Sequence, residues 1–208
     1  MSQRRRRWDT PGRVDLTSAA GSVFAAFGLS GSAGLNAWLP LFISSLLDRL
    51  GVIELAQPFD SLSSTTGLVV LGVLMAVDLV GDKIPLVDHV LHVVGTAVAP
   101  VSGAALFVGQ TGDHTNLSTI VAVLLGGGTA GAIHLGRTAI RAASTATTAG
   151  IGTPLLSTGE DVGAGALTAI AFLLPLLAFL LVAALLVALA LAVLRLRAGR
   201  RARRRPTA

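Results

Sequence analysis

Residues 167–194 read LTAIAFLLPLLAFLLVAALLVALALAVL and carry no charged side chain. A transmembrane helix needs about 20 consecutive apolar residues to cross a hydrocarbon core of about 30 Å, and this stretch exceeds that length. The stretch therefore predicts a membrane crossing. We expect the crossing to be tilted, or kinked at Pro175, because proline removes a helical hydrogen bond.

The composition of the 208-residue chain supports a membrane protein throughout. Hydrophobic residues make up 52% and charged residues 13% of the sequence, and the mean hydropathy is +0.75. A soluble domain carries about 25% charged residues, so these charges are too few to cover a water-soluble globule. Cysteine is absent, which excludes disulfide scaffolds, thiolate metal sites and cysteine nucleophiles. The predicted fold class is an all-α, polytopic helical membrane protein.

Four further apolar stretches precede this segment. Two polar connections interrupt them: an interfacial stretch at residues 51–66 and a turn at residues 110–116. Residues 137–165, rich in alanine, threonine, serine and glycine, fit neither a span nor a solvated loop. The apolar stretches themselves are residues 16–47, 67–81, 89–109 and 118–136.

The first apolar stretch is too long for one span and is interrupted by GLSGSAGLNAWLP at residues 28–40. Its glycines, serines, asparagine and proline disfavour a continuous helix, and irregular backbone cannot face lipid. We therefore expect two helical pieces around a buried break. The chain then makes six crossings if both pieces span the membrane, or four if they form a re-entrant hairpin.

The charges divide the chain into three regions. Residues 1–14 carry a net charge of +4, the membrane domain at residues 15–194 carries −6, and residues 195–208 carry +7. Arginine next to a membrane helix stays on the cytoplasmic side, so both tails are expected in the cytoplasm, at a cell membrane. The tails lack a folded module for nucleic acid; anionic lipid headgroups are the expected partners, and a homo-oligomer remains open. The arginines are Arg4 to Arg7, Arg13, Arg195, Arg197, Arg200, Arg201 and Arg203 to Arg205.

Two aspartates mark the end of the apolar stretch at residues 67–81. Asp78 and Asp82 are four residues apart, which puts both carboxylates on one helix face. An ionisable side chain at the bilayer centre costs about 2.5–3.5 kcal/mol on insertion scales, so it is expected to have a function. We expect the two carboxylates to bind a cation or share a proton, with Lys83, the only lysine, as counter-charge. The alternative is that Asp82 and Lys83 are hydrated among the headgroups.

A second polar group follows from residues 134–161. His134, Arg137 and Arg141 form one stripe if their helix continues, and Glu160 and Asp161 are their expected partners. The stripe is either a clamp for an anion or headgroup, or a structural network of salt bridges. Glu160 and Asp161 are also candidate binding residues.

Two further candidates complete the set. Asn36, in the first break, offers its amide to a bound ion or solute, or caps a half-helix. Asp88, His89 and His92 have a spacing that fits one divalent metal, although the sequence indicates no distant third ligand. Their alternative role is hydrogen bonding at the membrane surface.

Four short motifs occur in order along the chain: GLNAWLPL at 34–41, DKIPLVD at 82–88, PVSG at 100–103 and STGED at 157–161. This set resembles the bacterial membrane family that carries domain of unknown function 4126, over roughly residues 20–185. The resemblance implies a helical membrane fold and adds no reaction, because the family has no established activity. DLVGDK at 78–83 is also similar, with one extra residue before the glycine, to the acidic-Gly-Asp-Lys motif of cation/proton exchangers for calcium and manganese.

Three functions remain for such a chain. The first is a small transporter or channel for a cation or a proton-coupled solute, with Asp78, Asp82 and Lys83 beside the Asn36 break. The second is a non-catalytic membrane scaffold whose internal charges only pair with one another. The third, a lipid-modifying enzyme using Asp88 and a neighbouring histidine, lacks a nucleophile with its base, so no enzyme and no cofactor are expected.

Overall fold

A computed structural model of the protein describes residues 19–112, 115–148 and 151–203, without the side chains of residues 85, 86, 88, 89, 153 and 196–203. The described chain forms seven α-helices and a short 3-10 helix, and it contains no strand. The predicted all-α class is therefore confirmed. The α-helices are α1 (Ala19–Leu35), α2 (Trp38–Arg49), α3 (Thr65–Gly81), α4 (Pro85–Thr111), α5 (Thr119–Thr148), α6 (Thr153–Leu173) and α7 (Pro175–Arg203), and the 3-10 helix is Phe59–Ser63.

Helix α1 is the centre of the bundle and contacts α4, α5, α6 and α7. Its sequence consists largely of small residues, which let the backbones of neighbouring helices approach closely. A Cβ atom added at Gly34 would lie 2.7 Å from the Ala130 carbonyl oxygen and from Ile133 Cβ of α5. One added at Gly28 would lie 2.7 Å from the Cβ atoms of Ala171 and Ala178.

Serine side chains on α1 tie it to its neighbours inside the bundle. The Ser30 hydroxyl donates to the Gly103 carbonyl of α4 at 2.9 Å. The Ser32 hydroxyl donates to the Ala164 carbonyl of α6 at 2.7 Å and lies 2.7 Å from the Thr168 hydroxyl. In a membrane such buried hydroxyls supply hydrogen bonds between helices that apolar packing alone does not.

The first apolar stretch forms two helical pieces around a buried break, as predicted, but the break is narrower than expected. Only Asn36 and Ala37 separate α1 from α2, and both are buried. The glycines and serines at residues 28–34 lie inside α1, because their small side chains are required by close helix packing there. The prediction that residues 28–34 interrupt the helix was therefore wrong.

The second half of the chain also differs from its prediction. Residues 137–165, which fitted neither a span nor a loop, contain the ends of two helices. Residues 137–148 continue α5, and residues 153–165 begin α6. The last apolar stretch is interrupted at Pro175, as predicted, but the interruption is a complete break, so the membrane-length helix begins at Pro175 and not at residue 167. The chain breaks at Leu174, where φ is −139° and ψ is 67°, and α7 begins at Pro175, because proline is best accommodated in a first helical turn.

The described helices include three that are long and apolar enough to cross a membrane: Val90–Thr111, Thr119–Thr148 and Pro175–Arg195. Helices α1 and α3 are apolar but shorter. Large apolar side chains on α3, α4, α5 and α7 are exposed, as expected where lipid covers the surface. The protein is thus a helical membrane protein.

Candidate functional site

The break between α1 and α2 is organised by Asn36, whose side chain is 1% exposed. Its carboxamide oxygen accepts hydrogen bonds from the Trp38 and Leu39 amides, both at 3.1 Å, and so caps α2. Its carboxamide nitrogen donates to Asp78 Oδ2 and to Asp161 Oδ1, both at 2.9 Å. Two donors and two lone pairs are then all in use, so Asn36 positions two carboxylates and has no capacity left for a solute.

Arg137 and Arg141 lie on α5 and reach Glu160 on α6, which confirms the predicted pairing. Arg137 Nε lies 2.9 Å from Glu160 Oε2, and Arg141 Nε donates to the same oxygen at 2.9 Å. A terminal nitrogen of Arg137 also donates to the Leu35 carbonyl. That carbonyl ends α1 beside the break, where helix carbonyls lack an intrahelical partner.

Asp82 and Lys83 form the other part of the network. Lys83 Nζ lies 3.0 Å from Asp82 Oδ1 and 3.4 Å from Asp161 Oδ2. Asp82 is 3% exposed, lies 3.9 Å from Arg141 and accepts a hydrogen bond from the Ser157 hydroxyl. Asp82 is therefore buried and paired, and the interpretation of a hydrated helix end does not apply to it.

Asp78 is the exception among these carboxylates. Its carboxylate forms no ion pair with any described residue, and the carboxylate's one hydrogen bond among them is the one that Asn36 donates to Oδ2. Lys83, expected as its counter-charge, instead binds Asp82, Asp161 and the Leu79 carbonyl. Among the described residues the cluster thus joins four acids to three bases and has a net charge of −1. The acids are Asp78, Asp82, Glu160 and Asp161, and the bases are Lys83, Arg137 and Arg141.

Asp78 lines a cavity of about 120 Å³, which we call the acidic chamber. The chamber lies between α3 and α4, and Trp38 of α2 and Arg137 of α5 contribute to its wall. Asp82 also lines it, so the two carboxylates that the sequence places on one face do meet at one cavity. A volume of this size holds several water molecules or a small ligand group.

Two histidines also line the chamber. The rings of His92 and His134 lie 5.7 Å apart, centroid to centroid. His134 is 3% exposed, and its Nε2 has no hydrogen-bond partner among the described residues. Among those residues no group of three histidine or carboxylate side chains is placed to hold a metal ion. The side chains of Asp88 and His89, the other predicted metal ligands, lie outside the described part of the chain.

Sequence reasoning missed two contributors to the site. Ser157 precedes Glu160 and Asp161 by three and four residues on α6, so it shares their helix face, and this spacing was the available signal. Trp38 gave no signal of its own, because only the fold brings α2 beside α4. The arginine tails lie outside the described side chains, except Arg195, which is exposed.

This arrangement defines a helical membrane protein with a buried network of charges around an acidic chamber. The chain matches the family model described as domain of unknown function (DUF4126) over residues 23–195, and it belongs to that family. The resemblance noted in the sequence is thereby confirmed. Comparisons with curated proteins and with solved structures gave no match.

Proposed function

We propose that the protein transports a cation, or a small solute together with a proton, and that the Asp78 carboxylate is its binding group. The observation that carries this proposal is the position of Asp78, which lines a cavity and has no basic partner among the described residues. Asp78 is partly buried, and a charged carboxylate removed from water without a basic partner is costly unless a proton or a cation neutralises it. The net charge of −1 on the cluster leaves room for one such positive charge.

The neighbouring charges have a supporting role in this proposal. Asp82, Glu160 and Asp161 are paired with Lys83, Arg137 and Arg141, and the pairs that involve Asp161 and Glu160 link the end of α3 and helix α5 to α6. Asn36 fixes the Asp78 carboxylate from the break between α1 and α2. We further propose that both termini are cytoplasmic, that the membrane is the cell membrane, and that the arginine tails bind anionic lipid headgroups.

A scaffold without transport activity remains the second candidate, because the paired charges are also what a purely structural network requires. Asp78 separates the two candidates. A structural network has no need of an unpaired carboxylate at a cavity, whereas a transporter needs one.

The experiment is a proton-flux measurement in proteoliposomes that contain a pH-sensitive dye. Inward gradients of sodium, potassium, calcium and methylammonium are imposed in turn on the wild type and on Asp78→Asn. The matched control is Asp60→Asn, which removes an exposed carboxylate at the 3-10 helix, outside the chamber.

We expect a protein-dependent flux with at least one cation, lost in Asp78→Asn and retained in Asp60→Asn. A flux that Asp78→Asn retains in full would contradict the assignment of Asp78. Absence of flux in the wild type with all four cations would favour the scaffold.

A further inference from the structure

A second and larger cavity adjoins the acidic chamber. It has a volume of about 400 Å³ and lies between α2, the 3-10 helix, α3 and α4; we call it the apolar groove. Apart from Ser102, its wall consists of hydrophobic side chains, among them Leu41, Phe59, Leu71 and Val101. Helix α3 packs mainly against α2 and contacts α4 little, so the space between α3 and α4 is left to the two cavities.

Trp38 and Val98 line both cavities and form the boundary between them. The acidic chamber and the apolar groove are therefore adjacent, and the first is lined in part by carboxylates whereas the second is lined almost entirely by hydrophobic side chains. Ligand sites of this kind combine a predominantly apolar wall with a few polar groups that fix one end of the ligand.

From this juxtaposition we propose, resting on the proposed function, that the transported cation is an amphipathic organic ammonium ion. Its cationic head occupies the acidic chamber and its hydrocarbon part occupies the apolar groove. The volumes agree with this division, because the chamber of about 120 Å³ takes a small headgroup and the groove of about 400 Å³ takes a chain.

The polar groups that line the chamber suit an ammonium head. Asp78 Oδ1 has no hydrogen-bond donor among the described residues and faces no basic partner there. Arg137 also lines the chamber, but Glu160 and the Leu35 carbonyl bind its guanidinium group. Tryptophan is the aromatic side chain that attracts organic cations most strongly through its ring face, and Trp38 stands where head and chain would join.

A bare metal ion fits these observations less well. A metal ion gains nothing from an apolar groove, and the chamber offers it no described group of three histidine or carboxylate ligands. An acyl chain of a membrane lipid in the groove is the competing occupant, and the experiment distinguishes it.

Trp38 supplies the readout. The sequence has only two tryptophans, Trp8 and Trp38, and no tyrosine, so Trp8→Phe leaves Trp38 as the single strong fluorophore. The full-length Trp8→Phe protein in lipid nanodiscs is titrated with hexyltrimethylammonium. Tetramethylammonium supplies the head alone, and hexanol supplies the chain without the charge.

We expect hexyltrimethylammonium to change the Trp38 fluorescence saturably, with an affinity at least about tenfold above that of either control, because several methylene groups are buried. In the Asp78→Asn variant, hexyltrimethylammonium should bind no more tightly than hexanol. Ala97→Phe fills the groove from an exposed position, so in this variant hexyltrimethylammonium should bind no more tightly than tetramethylammonium. Val101→Phe, also exposed in the groove, replaces Ala97→Phe if that variant does not fold.

Equal affinities of hexyltrimethylammonium and tetramethylammonium would overturn the inference and indicate a groove filled by lipid. An advantage over hexanol that persists in Asp78→Asn would also overturn it. These results leave the proposed function intact if the proton flux with inorganic cations or methylammonium still depends on Asp78. Loss of both the binding and that dependence would reject the two proposals together.

Discussion

Asn36 is the residue on which the geometry of the site depends most. One carboxamide caps α2 and holds the carboxylates of Asp78 and Asp161 at hydrogen-bond distance from one nitrogen. Two carboxylates that share a donor in this way repel each other less than they would across an empty cavity. The amide therefore makes the unpaired charge of Asp78 tolerable in the folded protein.

Replacing Asn36 with aspartate tests this role. Asn36→Asp keeps the oxygen that caps α2 but puts a third carboxylate where the donor was. At neutral pH we expect a loss of unfolding free energy of about 3 kcal/mol, since two charge-assisted hydrogen bonds are replaced by like-charge contacts. The deficit relative to the wild type should shrink as pH falls, because protonation relieves the repulsion. Thermal unfolding of both proteins in detergent between pH 7 and pH 5 measures this deficit. A deficit that does not change with pH would contradict the proposed role of Asn36.

At the scale of helices, two devices hold the bundle together: close packing along α1 and ion pairs between α5 and α6. The glycines of α1 bring it into direct contact with its neighbours, and Gly34 faces the α5 backbone. Arg141, 4% exposed, joins α5 to Glu160 of α6. Burial makes both devices sensitive to single substitutions.

Gly34→Ala should destabilise the protein by about 1–3 kcal/mol, because the added methyl group overlaps Ala130 and Ile133. Gly128→Ala is the matched control in α5, since a Cβ atom there meets nothing within 4 Å. Alanine is the better helix former, so Gly128→Ala should be neutral or slightly stabilising. Equal thermal stability of the two variants would show that α1 does not pack as described.

Arg141→Ala should lower the unfolding free energy by about 3–5 kcal/mol, because it takes one basic partner away from the partly buried Glu160 and from the buried Asp82. Arg195→Ala removes an exposed arginine and should have little effect. In a double-mutant cycle with Glu160→Gln, the two changes should be non-additive by about 0.5–3 kcal/mol. Additive losses would argue against direct contact between the two side chains.

At the scale of the whole molecule, hydropathy sufficed for the membrane class and for most helices, because lipid demands long apolar segments. A break in the first apolar stretch was predictable from its length, and the pairing of Arg141 with Glu160 from the cost of a buried charge. The position of the break at Asn36 was not, because the small residues at 28–34 pack inside α1. The contacts of Lys83 could not be predicted. It was expected beside Asp78, but the arrangement of α3 and α6 brings it to Asp82 and Asp161 instead. The groove at Trp38 likewise depends on tertiary packing that no spacing encodes.

The proposed orientation of the molecule rests on its arginine tails. Because arginine beside membrane helices stays in the cytoplasm, fusions of a reporter that is active only in the cytoplasm should be active at both residue 1 and residue 208. Activity at one end alone would require an odd number of crossings and would contradict the proposed topology.

In the proposed function the Asp78 carboxylate takes up the proton or the cation. Infrared difference spectroscopy of the protein in lipid measures this directly through the carbonyl band of a protonated carboxylic acid. We predict a band that grows as pH falls, decreases when a transported cation is added, is absent from Asp78→Asn and persists in Asp60→Asn. A band of unchanged intensity in Asp78→Asn would contradict the claim.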